Sequence, residues 1–188
     1  HMLTKSGARK GDPLGRTKPL GFGTTTTALK RDQADPADVY EAVEWMKRLN
    51  KTAAELAVKN DLHGGTDITG FSLLGHAWEM AERSGVGLRF FFDRIPFTGG
   101  AKRYAQDWIF PGGSSDNRLY FGEHVHFPPE FDEAWQMLLF DAQTSGGLLL
   151  SVPPAKLDSF LQQASALEQP AWVIGEVTAG DAIQVLAA

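Results

Sequence analysis

The stretch GTDITGFSLLGH occupies residues 65–76. It begins with a small flexible residue, passes an acid and two hydroxyls, and then turns apolar. From residue 71 to 83 the apolar spacing is helical. Phe71, Leu74, Trp78 and Ala81 share one face, with Leu73, Ala77 and Met80 beside it, and Gly85 is the expected stop. Asp67 therefore sits where a helix begins, at free backbone N–H groups and partial positive charge. Two readings stay open. Asp67 or Thr69 caps the helix, or Asp67 offers a carboxylate to Mg²⁺, with Thr69 and the N–H groups around Gly70 facing phosphate oxygens. One carboxylate cannot make a magnesium site, so the second reading requires partners from elsewhere.

Working outward, residues 1–16 are basic, contain glycine and lack periodicity. His1-Met2 reads as a tag remnant and the rest as a flexible arm, with the domain proper at 17–188. Four consecutive threonines in KPLGFGTTTTAL, residues 18–29, predict a first strand. Asp35-Pro36 caps and opens a helix running to about residue 60, with Val39, Val43, Met46, Leu49 and Leu56 as its apolar stripe. Beyond Gly85, a strand is expected over 86–95, a helix over 101–108, a loop over 111–120 (PGGSSDNRLY) and a helix over 130–140. The strand LLLSV follows, then a helix over 154–166 and two strands, 171–177 and 182–186, joined by the turn TAGD. The fold class is α+β: a mixed, largely antiparallel sheet flanked by helices.

Composition narrows the function. There is no cysteine, which excludes disulfides, thiolate metal sites and a cysteine nucleophile within this chain. A net charge of −5 argues against a broad nucleic-acid surface. No apolar run approaches the roughly 20 residues of a membrane span, and no signal peptide is visible, so a cytoplasmic protein is expected.

Three further motifs carry possible chemistry. In TKPLG, residues 17–21, Lys18 either reaches a phosphate as a point charge or is simply solvated. In PGGSSDN, residues 111–117, Asn117 is expected to brace its own loop. In DAQTSGGLL, residues 141–149, hydroxyls and glycines either bring backbone close to an anion or make a tight turn. There is no GxxxxGK[ST] loop. His124 and His126 are two apart and would share a strand face, but lack a third ligand, and His76 is expected half-buried.

Together these pieces resemble the carboxy-terminal half of the selenide, water dikinase (selenophosphate synthetase) family. The family pattern reads approximately DVTGFGLLGH, where this chain has DITGFSLLGH, and QTSGGLL and IGEV (174–177) also fit. The stretch HGG at 63–65 and the segment GFGTTTT depart from the family. The resemblance covers about residues 15–188 and extends to enzymes similar to aminoimidazole ribonucleotide synthetase. It implies an enzyme that takes ATP, selenide and water to selenophosphate, AMP and phosphate with Mg²⁺, as a homodimer when full length. An absent amino-terminal ATP-binding domain would supply the catalytic groups, leaving no catalytic side chain here and this chain alone inactive. Asp67 matches the metal-binding aspartate of the second domain. Thr69, Gly70, Lys18, Asn117, Thr144 and Ser145 match positions expected near the phosphates. The alternatives are the same domain of a related ATP-dependent synthetase or kinase, of purine or thiamine biosynthesis, or a non-catalytic binding module.

Overall fold

A computed structural model describes residues 3–187, so the expected tag remnant His1-Met2 lies outside the described residues. Seven strands form one sheet: β1 (Pro13–Arg16), β2 (Gly64–Asp67), β3 (Gly87–Phe91), β4 (Val125–His126), β5 (Leu148–Ser151), β6 (Trp172–Thr178) and β7 (Ile183–Leu186). Their order is β2-β5-β1-β6-β3-β7-β4. The first five are joined antiparallel, whereas β3, β7 and β4 run parallel. The expected mixed, largely antiparallel sheet is therefore present. Eight helices flank it: α1 (Phe22–Lys30), α2 (Pro36–Lys47), α3 (Lys51–Lys59), α4 (Ser72–Ser84), α5 (Ala101–Gln106), α6 (Gly112–Phe121), α7 (Glu133–Leu139) and α8 (Leu157–Ala166).

Strand β5 shows why its three leucines follow one another without polar alternation. Leu149 joins the main core with Leu14, Leu74, Met80 and Phe90. Leu148 and Leu150 point the other way, into a second core with Leu56 of α3 and Phe160 of α8. A strand covered on both faces needs no polar alternation.

Several elements differ from the sequence expectation, each for a local reason. The arm expected through residue 16 contains β1, an interior strand on which Leu14 and Arg16 are fully buried. The threonine run is helix α1, not a strand. Thr24 and Thr25 donate their hydroxyls to the Gly21 carbonyl at 3.0 and 2.8 Å, and Thr26 donates to the Phe22 carbonyl at 2.9 Å. Back-bonding satisfies the hydroxyls within a helix, so β-branching does not decide the outcome. The long helix expected over 36–60 is two, broken at Arg48, whose backbone is extended (φ −63°, ψ 121°) and whose carbonyl accepts from Lys18 Nζ. Of its expected stripe only Leu56, on α3, is buried in a core. Leu49 is 74% exposed and Val43 39%, while Ala42 is the buried residue of α2. The loop expected over 111–120 is α6, whose Ser114 and Asn117 are buried. The last two strands make no hairpin, because β3 lies between them.

Helix α1 begins at Gly21, in the left-handed region at φ 114°, with no side chain to cap it. Its cap comes from far along the chain. Asp141 Oδ2 accepts from the amides of Gly23 and Thr24 at 3.0 and 3.3 Å and from Gln143 Nε2 at 2.8 Å. Ser114 Oγ donates to the other oxygen at 3.4 Å. Burial pushes the Asp141 carboxyl up to about 7, against the opposing pull of these donors. The folded chain thus holds a proton that the unfolded chain releases near pH 4. The stability this brings is complete below that pH and is lost as pH rises through 7. Across that window the wild type should lose stability relative to Asp141→Asn, by up to about 1.4 kcal/mol per pH unit. Urea unfolding of both proteins at several pH values measures it, and parallel curves would contradict it.

Candidate functional site

The end of β2 and the start of β5 lie side by side, with Asp67 opposite Leu148. The turn leaving β2 (68–71) and the turn entering β5 (141–147) therefore emerge from the same end of the sheet. They are bonded to each other. Ile68 N donates to Gly147 O at 2.8 Å, Gly146 N to Ile68 O at 2.9 Å and Gln143 N to Thr69 O at 3.0 Å. The side chain of Gln143 extends the tie to α1 by accepting from Phe22 N at 3.2 Å.

Five of the seven expected site residues lie on these turns or at the strand end beside them. Asp67, Gly70 and Thr144 are exposed, and Thr69 and Ser145 are half-buried. Asp67 belongs to the strand and is not a helix cap; α4 starts at Ser72 and no side chain caps it. Among the described residues the Asp67 carboxylate has no hydrogen-bond or salt-bridge partner within the chain.

The other two, Lys18 and Asn117, lie beneath the turns. Lys18 is 2% exposed, not solvated. Its ammonium donates to the carbonyls of Arg48 and Ser145 and, at 3.2 Å, to Ser145 Oγ. Asn117 does not brace its own loop. Its amide donates to Gly70 O at 2.8 Å and to Phe140 O at 3.2 Å. The N–H groups of both side chains are thus used on the protein, and direct reach to a phosphate is corrected to a role as pegs under the two turns. Burial, reinforced by the nearby charges of Arg16 and Arg48, pulls the Lys18 ammonium down to about 8. Arg16 is itself fully buried. It donates to Pro19 O at 3.3 Å, its Nε and Nη1 have no partner among the described residues, and burial lowers its pKa to about 9.

A third, part-buried polar cluster adjoins the Asp67 turn. His76 is 6% exposed, more buried than expected, and contacts Thr69 and Glu79. The three-residue spacing of His76 and Glu79 was visible as one helix face, but Lys5 completing the cluster through Glu79 carried no sequence signal. Asp141 was equally hidden, since nothing in DAQ marks its acid as the cap of a distant helix. His124 stacks on Trp78 with centroids 3.9 Å apart. Among the described residues no three His, Asp or Glu side chains gather to hold a metal ion. The donor set at Asp67 fits a divalent cation only as one contributed oxygen ligand. Among the described residues no helix is long and apolar enough to cross a membrane.

Comparison with known proteins gives a consistent family. The family described as AIR synthase related protein, C-terminal domain, matches residues 9–187. The chain is 42% identical over 177 residues to selenide, water dikinase of Caldanaerobacter subterraneus subsp. tengcongensis, covering 94% of this chain and 51% of that protein. It is also 42% identical over 164 residues to selenide, water dikinase of Geobacter metallireducens, covering 87% of this chain and 47% of that protein. The chain thus spans about half the length of the curated relatives it matches. In three dimensions it resembles thiamine-monophosphate kinase from Stenotrophomonas maltophilia, with a TM-score of 0.70 and 17% identity over 97% of this chain and 52% of that one.

The turn entering β5 is the tightest part of the site. Gly147 has φ +83°, and a Cβ there would lie 2.8 Å from Lys18 Cγ and 3.0 Å from Thr17 Oγ1. Gly147→Ala should therefore cost about 2 kcal/mol or more. Gly112→Ala, where a Cβ would meet nothing within 4 Å, should be neutral or stabilising by about 1 kcal/mol. Thermal melts of the two variants provide the comparison, and equal melting temperatures would count against the packing described.

Proposed function

We infer the function from a premise of kinship: the chain belongs to the AIR synthase related family, as its C-terminal domain. We propose that it is the carboxy-terminal wall of a selenide, water dikinase, an enzyme making selenophosphate, AMP and phosphate from ATP, selenide and water. The observation that carries this reading is the Asp67 carboxylate, exposed and unpartnered at the end of β2, between two turns held rigid from below. The high identity to proteins of that name, over nearly the whole chain, supports it.

In this reading Asp67 gives one oxygen to Mg²⁺, which bridges to phosphate oxygens and neutralises their charge when bound. The remaining ligands and the nucleotide-binding groups belong to an amino-terminal half, and the full-length protein works as a homodimer. Gly70, Thr144 and Ser145 line the approach to the phosphates. The contribution of this wall is positioning and charge placement, which phosphoryl transfer chiefly requires. Lys18 and Asn117 act here by fixing the two turns.

Two measurements test the proposal. This chain by itself should release no phosphate from ATP in the presence of selenide and Mg²⁺. In the full-length protein, Asp67→Asn should weaken binding of a magnesium–ATP analogue and reduce selenide-dependent AMP formation by on the order of 100-fold or more. Equal binding of the magnesium–nucleotide complex by wild type and variant would remove Asp67 from the metal site.

A further inference from the structure

The first described residues run along β2 in the opposite direction. Gly65 N donates to Thr4 O at 3.1 Å. Gly7 abuts His63 so closely that a Cβ there would lie 1.7 Å from the His63 carbonyl oxygen. As the arm is followed back from Gly7 to Thr4, its neighbours therefore advance from His63, just before β2, to Gly65 within it. Asp67 stands two residues further, roughly 7 Å along the strand. The start of the arm is thus aimed at the end of the sheet that carries Asp67. On the way Lys5 reaches sideways to α4, its Nζ 2.7 Å from Glu79 Oε2.

Glu79 opens onto a groove of about 820 Å³ between α4 and α6. Phe71, Trp78 and Tyr120 give it aromatic walls, with Phe71 52% and Tyr120 73% exposed. Glu82, Asp116 and Glu123 line it too and are exposed, and no lysine or arginine is among the lining residues. The groove is continuous with the candidate site. Phe71 closes the turn leaving β2, and Asn117, in the lining, donates to the Gly70 carbonyl. Exposed apolar surface of this extent, rimmed by polar groups, marks an interaction site. The acids set the chemistry of its occupant. Covering them with apolar groups alone would bury unpaired charge. Pairing the face with its own copy across a two-fold axis would set acids against acids. We propose that the groove receives a segment of the amino-terminal half of the same polypeptide, one that presents apolar side chains beside lysine or arginine. This rests on the reading of the chain as the carboxy-terminal wall of a longer enzyme, whose preceding half enters at the Asp67 end. Lys5 on Glu79 is a basic side chain of this kind already in place. The docked segment braces Phe71 and Asn117, and through them the turn that follows Asp67, from outside.

Cross-linking of the full-length protein tests the proposal without turnover. A photoreactive p-benzoylphenylalanine in place of Tyr120 should cross-link to peptides of the amino-terminal half of the same chain. Leu119, 86% exposed in the same lining, gives an independent attachment point. Irradiating a mixture of ordinary and ¹⁵N-labelled protein separates the outcomes. Cross-links between chains of different isotope mean that a second copy fills the groove, and they overturn the proposal. So does the absence of any cross-link from both positions. Glu82→Lys combined with Asp116→Lys should lower the yield several-fold, because like charges would then face each other. An unchanged yield overturns the basic character of the occupant. Failure of the functional reading looks different: magnesium–nucleotide binding unimpaired by Asp67→Asn sinks the metal role and leaves the cross-link standing.

Discussion

The carboxyl group of Asp141 joins parts of the chain that are 118 residues apart. It supplies the cap that helix α1 lacks, receives a hydroxyl from α6 and holds Gln143, which reaches back to the amide of Phe22. A helix N-terminus left without acceptors in a buried setting would cost about 1 kcal/mol or more for each unsatisfied amide. The chain approaches so closely here that a Cβ on Gly23 would lie 2.3 Å from the Ala142 carbonyl. This constraint sets the path of the turn entering β5. That turn in turn holds the one leaving β2, through the bonds between Gly146 and Ile68 and between Gln143 and Thr69. The candidate site therefore inherits its geometry from a capping interaction that has no direct part in the chemistry.

Where local rules and tertiary demands agree, the sequence was readable. Asp35 accepts from Ala37 N as an N-cap should, Gly85 ends α4 in the left-handed region, and LLLSV is a doubly covered strand. Reading failed where a local preference met a distant partner. The threonines of α1 look like strand residues until their hydroxyls find carbonyls one turn back. The glycines and serines of α6 look like a loop until Asn117 is tied to Gly70 and Phe140. The basic arm looks solvated until Leu14 and Arg16 enter the middle of the sheet. Strand order was hidden for the same reason: two strands joined by a short turn normally pair, yet β3 is inserted between β6 and β7.

The site shows a similar division. The gathering of five expected residues on two neighbouring turns was legible, because the motifs that carry them flank β2 and β5. The allocation of hydrogen bonds was not, because it depends on which carbonyls lie within reach in three dimensions. Lys18 and Asn117 have the chemistry of phosphate ligands, but their donors are consumed by Arg48, Ser145, Gly70 and Phe140. Residue type identified the neighbourhood, and only geometry separated the groups that face outward from those that support them.

Under the function proposed above, that separation bears on what this half of a divided site would contribute. The outward-facing expected side chains on this wall are an acid and hydroxyls, while Arg16 and Lys18 are sealed beneath. A wall of this kind repels a bare triphosphate and favours one already paired with a divalent ion. In the proposed enzyme it would therefore close on the metal–nucleotide complex and not capture free nucleotide, with initial anion binding left to the other half. Rigidity then has a purpose. A single carboxylate gains enough from one metal–oxygen contact only if little conformational entropy is lost in making it. The pegs under both turns, and the distant cap that positions them, meet that condition before any ligand arrives.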